Sequence, residues 1–100
     1  MIKHIVMWRL HEQANGASKL ENANKMKVIL EGLNNRIEGL IQLEVGVDFA
    51  HSEASADVVL YSELSSKEAL AHYQQHPEHL AAAAFIKAVV IDRVVVDYEA

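Results

Sequence analysis

Cysteine is absent from this 100-residue chain, and proline occurs once. The first absence removes disulfides, thiolate nucleophiles and cysteine metal ligands together, and it fits a reducing compartment. The second leaves the chain with a single forced interruption of regular structure, at Pro77. Positive charge is scarce as well. Nine Lys and Arg stand against fourteen Asp and Glu, for a formal net charge of −5, and the nine are scattered. Nonspecific nucleic-acid binding depends on clustered Lys and Arg, so nucleic acid is not an expected partner. The longest apolar run, Leu80 to Ile86, has seven residues, far below the ~20 that a membrane helix needs. No charged-then-apolar leader precedes the first alternating segment, so the expected setting is the cytoplasm, away from membranes. Neither a glycine-rich phosphate loop nor a nucleophile motif around a serine is present, and no cofactor is expected.

What is present is the composition of a folded domain: 51% hydrophobic and 23% charged residues, which argues against disorder. The length suits one domain over residues 1–100, enough to bury roughly two thirds of the surface of its unfolded chain. Ile2 to Leu10 alternates, with Ile2, His4, Val6, Trp8 and Leu10 on one face, and reads as a strand. Asn15-Gly16 supplies loop chemistry. Ser18 to Glu21 reads as a capping box. Behind it Met26, Ile29, Leu30, Leu33 and Ile37 form a helical stripe, with Gly39 as the stop. Ile41 to Val47 alternates as a second strand, His51 to Ala56 is a loop, and Asp57 to Leu64 is a third strand. Ser65 to Glu68 repeats the capping-box signature before a short helix through Tyr73. Pro77 has no amide hydrogen and disfavours helical geometry at His76, yet it suits the first turn of a new helix. The spacing therefore predicts a break, then a second helical segment from Pro77 to about Ala88. Val89 to Tyr98, rich in β-branched residues, is the last strand.

The order β-α-β-β-α-β, with right-handed crossovers, predicts a ferredoxin-like α+β fold: a four-stranded antiparallel sheet with the helices on one face. Every strand carries apolar residues on both faces. A bare apolar sheet face of that size is unusual on a monomer, so the expected partner is a second copy of this chain.

Chemistry concentrates in Tyr73-Gln-Gln-His76-Pro77-Glu78-His79 and in His4. If the two segments meet, His4 and His79 share a pocket with the Tyr73 phenol, their imidazoles within hydrogen-bonding reach directly or through one water. Two imidazoles near neutral pH supply an acid and a base, as enolisation or aldol ring closure requires. These three are the candidate catalytic residues. His76 and Trp8 are candidate ligand contacts, with structural readings beside them: His76 as a helix boundary, Trp8 as core or pocket wall. The same alternative holds for His4, whose ring nitrogens can serve a buried polar neighbour while the rest packs. His72, His76 and His79 are spaced i, i+4, i+7, but Pro77 breaks the helix between them and no carboxylate spacing completes a set, so no metal is expected.

Ile2-Lys3-His4-Ile5-Val6, the run Tyr73 to Leu80 with its His-Pro-x-His element, and Val94-Val95-Val96-Asp97-Tyr98 together resemble the stress-responsive A/B barrel domain (Dabb) family. The resemblance spans essentially the whole chain. It implies a dimeric α+β barrel, and in some plant members a polyketide cyclase. In those cyclases histidines at the places of His4 and His79, with a tyrosine at that of Tyr73, line the pocket. A further pocket tyrosine of the cyclases falls near Leu30, where this chain has no hydroxyl. Two functions follow as expectations. One is a small-molecule binder or enzyme acting on an aromatic or polyketide-like carbonyl compound. The other is a noncatalytic dimeric module with structural histidines.

Overall fold

Alternation in the first strand becomes burial in three dimensions. The computed structural model describes residues Met1–Ala100. In β1 (Ile2–Leu10) residues 2, 4, 6, 8 and 10 are buried and those between them are not. A small hairpin follows, β2 (Gln13–Ala14) and β3 (Ala17–Ser18), then α1 (Lys19–Glu31), β4 (Leu40–Val47) and β5 (Val58–Leu64). The chain closes with α2 (Lys67–Gln75), α3 (Pro77–Val89) and β6 (Val90–Glu99). The sheet order is β4-β5-β1-β6, every neighbouring pair antiparallel. Each crossover skips one strand, β1 to β4 through α1 and β5 to β6 through α2 and α3. The result is the ferredoxin-like α+β sheet with β1 central.

Cross-strand rows organise both faces. Towards the helices the rows are Ser62–His4–Asp97, Leu60–Val6–Val95 and Val58–Trp8–Arg93. Away from them, Val59–Met7–Val94 and Tyr61–Ile5–Val96 make two apolar rows that no helix covers. Val94 and Val96 are 65% and 55% exposed. The core lies between the helices and the first face. Val6, Leu60, Leu64, Met26 and Leu30 are essentially excluded from solvent.

Three local expectations need correction: the end of the first helix, the second cap and the role of Gly39. The helical stripe does not run to Ile37, because α1 ends at Glu31 and Leu33 and Ile37 are buried from a chain of turns. Asn34 explains the stop. Its side chain accepts from the Leu43 amide at 3.0 Å and donates to the Leu43 carbonyl at 2.9 Å, tying the segment to β4 instead of continuing the helix. The second cap is Ser66, whose hydroxyl accepts from the Ala69 amide at 3.0 Å, so the Ser65–Glu68 box is off by one residue. The loop at Asn15-Gly16 is a tight hairpin turn, with φ of 56° and 75° at its two residues, as a primed two-residue turn requires. The Ser18–Glu21 box forms with both of its reciprocal hydrogen bonds.

Gly39 stops no helix but has its own reason. Its φ is +87°, and an added Cβ would fall 2.6 Å from the Ala69 Cβ on α2. Only glycine lets α2 sit this close to the start of β4.

Candidate functional site

His4 is placed by β1 and oriented by β6. Parity turns it to the helix side, where it is 3% exposed. Asp97 stands directly opposite on β6, and its carboxylate receives the His4 Nδ1–H. That bond assigns the Nδ1–H tautomer and leaves Nε2 as the free lone pair. The backbone is pinned from the other side, since the buried Ser62 hydroxyl donates to the His4 carbonyl at 2.9 Å.

Tyr73 and His79 arrive from two different helices. Tyr73 lies in the last turns of α2 and His79 in the first turn of α3, with His76 extended between them (φ −64°, ψ 137°) and Pro77 as the first residue of α3. The Tyr73 ring meets His4 edge-on, centroids 6.1 Å apart, and His79 at 4.6 Å. Both imidazoles thus pack against the Tyr73 ring, and no hydrogen bond joins them directly. Burial pushes the Tyr73 phenol up to about 12, so at neutral pH it is a donor. Burial holds His79 below the ordinary imidazole value, and repulsion from His4, Arg93 and His76 acts the same way. A pull from the Gln74 backbone, which forms no hydrogen bond with the ring, opposes them. The positive end of the α3 dipole also disfavours an imidazolium there. Nδ1 of His79 is buried without any hydrogen-bond partner. A buried polar atom without a partner is uncommon enough to call for an explanation.

His4, Tyr73, His79 and Trp8 line one cavity of about 270 Å³ with Arg93 and mostly apolar neighbours, among them Leu30. His76 stands outside it. Its Nδ1 accepts from the Glu78 amide at 3.1 Å, capping α3, and its ring packs against His72 at 5.8 Å. No three His, Cys, Asp or Glu side chains gather as a metal would require.

Two residues here escaped the reading of the sequence. Asp97 was visible only as part of the closing Val94–Tyr98 run, and Arg93 not at all. Their signal is register: pairing the first and last strands antiparallel sets Asp97 against His4 and Arg93 against Trp8.

The family model for the stress responsive A/B barrel domain matches residues 2–100. The chain belongs to that family. Solved structures agree with this A/B barrel assignment. A dimeric protein of unknown function and ferredoxin-like fold from Bacteroides fragilis is 32% identical, with a TM-score of 0.88 over 99% of this chain and 95% of that one. A dimeric ferredoxin-like protein of unknown function from Thermobifida fusca is 25% identical, with a TM-score of 0.84 over 99% and 90%. A hydroxynitrile lyase from Passiflora edulis shares the fold at 19% identity and a TM-score of 0.80 over 97% and 90%. No curated protein matches. No helix of this A/B barrel chain is long and apolar enough to cross a membrane.

Proposed function

We propose that this A/B barrel protein is a homodimer that binds a small aromatic or polyketide-like carbonyl compound in the His4–Tyr73–His79 cavity and promotes enolisation there. The observation that carries the reading is the convergence of a neutral imidazole, a protonated phenol and a carboxylate-held histidine on one apolar cavity. Its volume of about 270 Å³ sits near the lower bound of small-molecule pockets, roughly 300 Å³. The fold also houses an enzyme in at least one neighbour, the hydroxynitrile lyase.

In this reading His79 takes the proton from the carbon beside the carbonyl. Tyr73 donates its hydroxyl hydrogen bond to the carbonyl oxygen as that oxygen gains charge, and the apolar wall strengthens the bond. The enolate carbon is then free to bond a second carbonyl carbon in the same molecule, whose oxygen takes the proton back from the His79 imidazolium. His4, held by Asp97, offers its Nε2 as a second acceptor or, when protonated, as a donor.

Trp8 is the only tryptophan and lines the cavity, so its fluorescence reports entry of a ligand. Incubation with aryl ketones and β-diketones in D2O should show exchange of the α-hydrogens above the buffer rate, with a Trp8 fluorescence change. His79→Ala should slow exchange about 100-fold or more, and Tyr73→Phe should slow it while leaving the fluorescence change in place. Absence of both exchange and a Trp8 response leaves the noncatalytic dimeric module as the function.

A further inference from the structure

We propose that Arg93 makes this cavity selective for carboxylates, so that its natural ligand is a small acid with an apolar body. The inference rests on the reading of the cavity as a ligand site and names the class of compound it takes.

The chain has three arginines. Arg9 is bound to Asp92 at 2.9 Å and Arg36 to Glu78 at 2.9 Å, both at the surface. Arg93 takes part in no salt bridge. It lies on β6 in register with Trp8, on the helix side of the sheet, and it lines the cavity. Among the lining residues it is the one permanent charge, and no acidic side chain joins it there. Asp97 is committed to His4 and does not line the wall. A guanidinium without a carboxylate partner at the rim of an apolar space presents a planar pair of donors that fits a carboxylate on two bonds. Arg93 also acts on His79 electrostatically, so the two share one local field.

The register sets the direction in which a ligand lies. The His4–Asp97 row and the Trp8–Arg93 row are four residues apart on both strands, or about 13 Å along the sheet. A carboxylate at Arg93 then leaves the apolar body to lie along Val6 and Leu60 towards the imidazoles and the phenol. Because β6 is an edge strand and Arg93 is exposed, the acid group stays near water while the body is buried. That is the cheaper arrangement for a charged ligand, since the charge is only partly desolvated.

Phenylacetate and its neutral analogue phenylacetamide separate the possibilities, with Trp8 fluorescence as the readout. The wild type should bind the carboxylate about tenfold more tightly, as a charge-assisted hydrogen-bond pair allows, and added salt should weaken the carboxylate alone. Arg93→Gln should bring phenylacetate down to the affinity of the amide and leave the amide unchanged. Lys87→Gln, a charge removed elsewhere on α3, should change neither. Arg93 has no ion pair to lose, and the melting temperature of the variant verifies that it folds. Equal affinities for acid and amide in the wild type, or a phenylacetate affinity that survives Arg93→Gln, overturn the proposal while the cavity stands. No binding of either probe, nor of the neutral ketones, overturns both the proposal and the cavity.

Discussion

Replacing Asp97 by alanine removes the one partner of a histidine that is 3% exposed, whereas the carboxylate itself is 39% exposed. A buried donor stripped of its acceptor costs about 1–3 kcal/mol. Partial access of water on the Asp97 side favours the lower half of that range, about 1–2 kcal/mol. For a domain of this length the loss corresponds to a fall in Tm of about 5–15 °C. Urea melts at one fixed protein concentration should give the same loss with an unchanged slope, since association contributes to apparent stability. Asp97→Asn is the informative companion. The amide oxygen still accepts from Nδ1–H, so most of the stability should return although the charge does not. Ring nitrogen NMR should show the Nδ1–H tautomer of His4 in the wild type and in the Asn variant, and a mixture in the Ala variant. A loss below about 0.5 kcal/mol for Asp97→Ala, the ordinary range for an uninvolved surface change, together with an unchanged tautomer, would refute the argument that Asp97 holds His4.

Two further outcomes follow from the geometry. His79 has its folded-state pKa below the ordinary value of 6.5, so the unfolded chain takes up the proton first as pH falls. Its contribution to stability is therefore complete above that ordinary value and is lost as pH falls through it towards the folded value; His79→Gln should flatten the decline in unfolding free energy in that window, and an identical slope in both proteins would contradict it. The uncovered rows Val59–Met7–Val94 and Tyr61–Ile5–Val96 should form the dimer interface, with more than about 1,200 Å² buried in total. Sedimentation at micromolar concentration should then give a dimer for the wild type and a monomer for Val94→Glu/Val96→Glu, and a wild-type monomer would remove the interface.

The four strands of the main sheet were legible because three alternate over seven or more residues and the last is rich in β-branched ones, whereas the two-residue strands β2 and β3 are too short to show a period; the break at His76-Pro77 was legible because proline has one geometric meaning there. Face parity placed His4, Val6 and Trp8 on the helix side correctly. Leu33 and Ile37 continued the helical period of α1 and yet left it. The deciding interaction is Asn34 with Leu43, across a turn, and periodicity carries no trace of a side chain bonding to a strand not yet formed. Asp97 is 93 positions from His4. Nothing local marks an aspartate in a valine-rich strand as the partner of a histidine in another, until the two strands are set in register.

Tyr73 and His79 are six positions apart. On one uninterrupted helix, at about 100° per residue, their side chains would point roughly 120° apart, towards different sides of the cylinder. Their rings nonetheless lie 4.6 Å from each other. The extended residue at position 76 resets the rotational phase, so that the end of one helix and the beginning of the next aim inward at the same place. The count of residues in Tyr-x-x-His-Pro-x-His is in this sense a gear ratio. One residue added or removed on either side of the proline turns a ring by a quarter of a revolution or more, with no change in composition and little in hydrophobicity. How far a phenol stands from an imidazole is set, in this chain, by where a single amide hydrogen is missing.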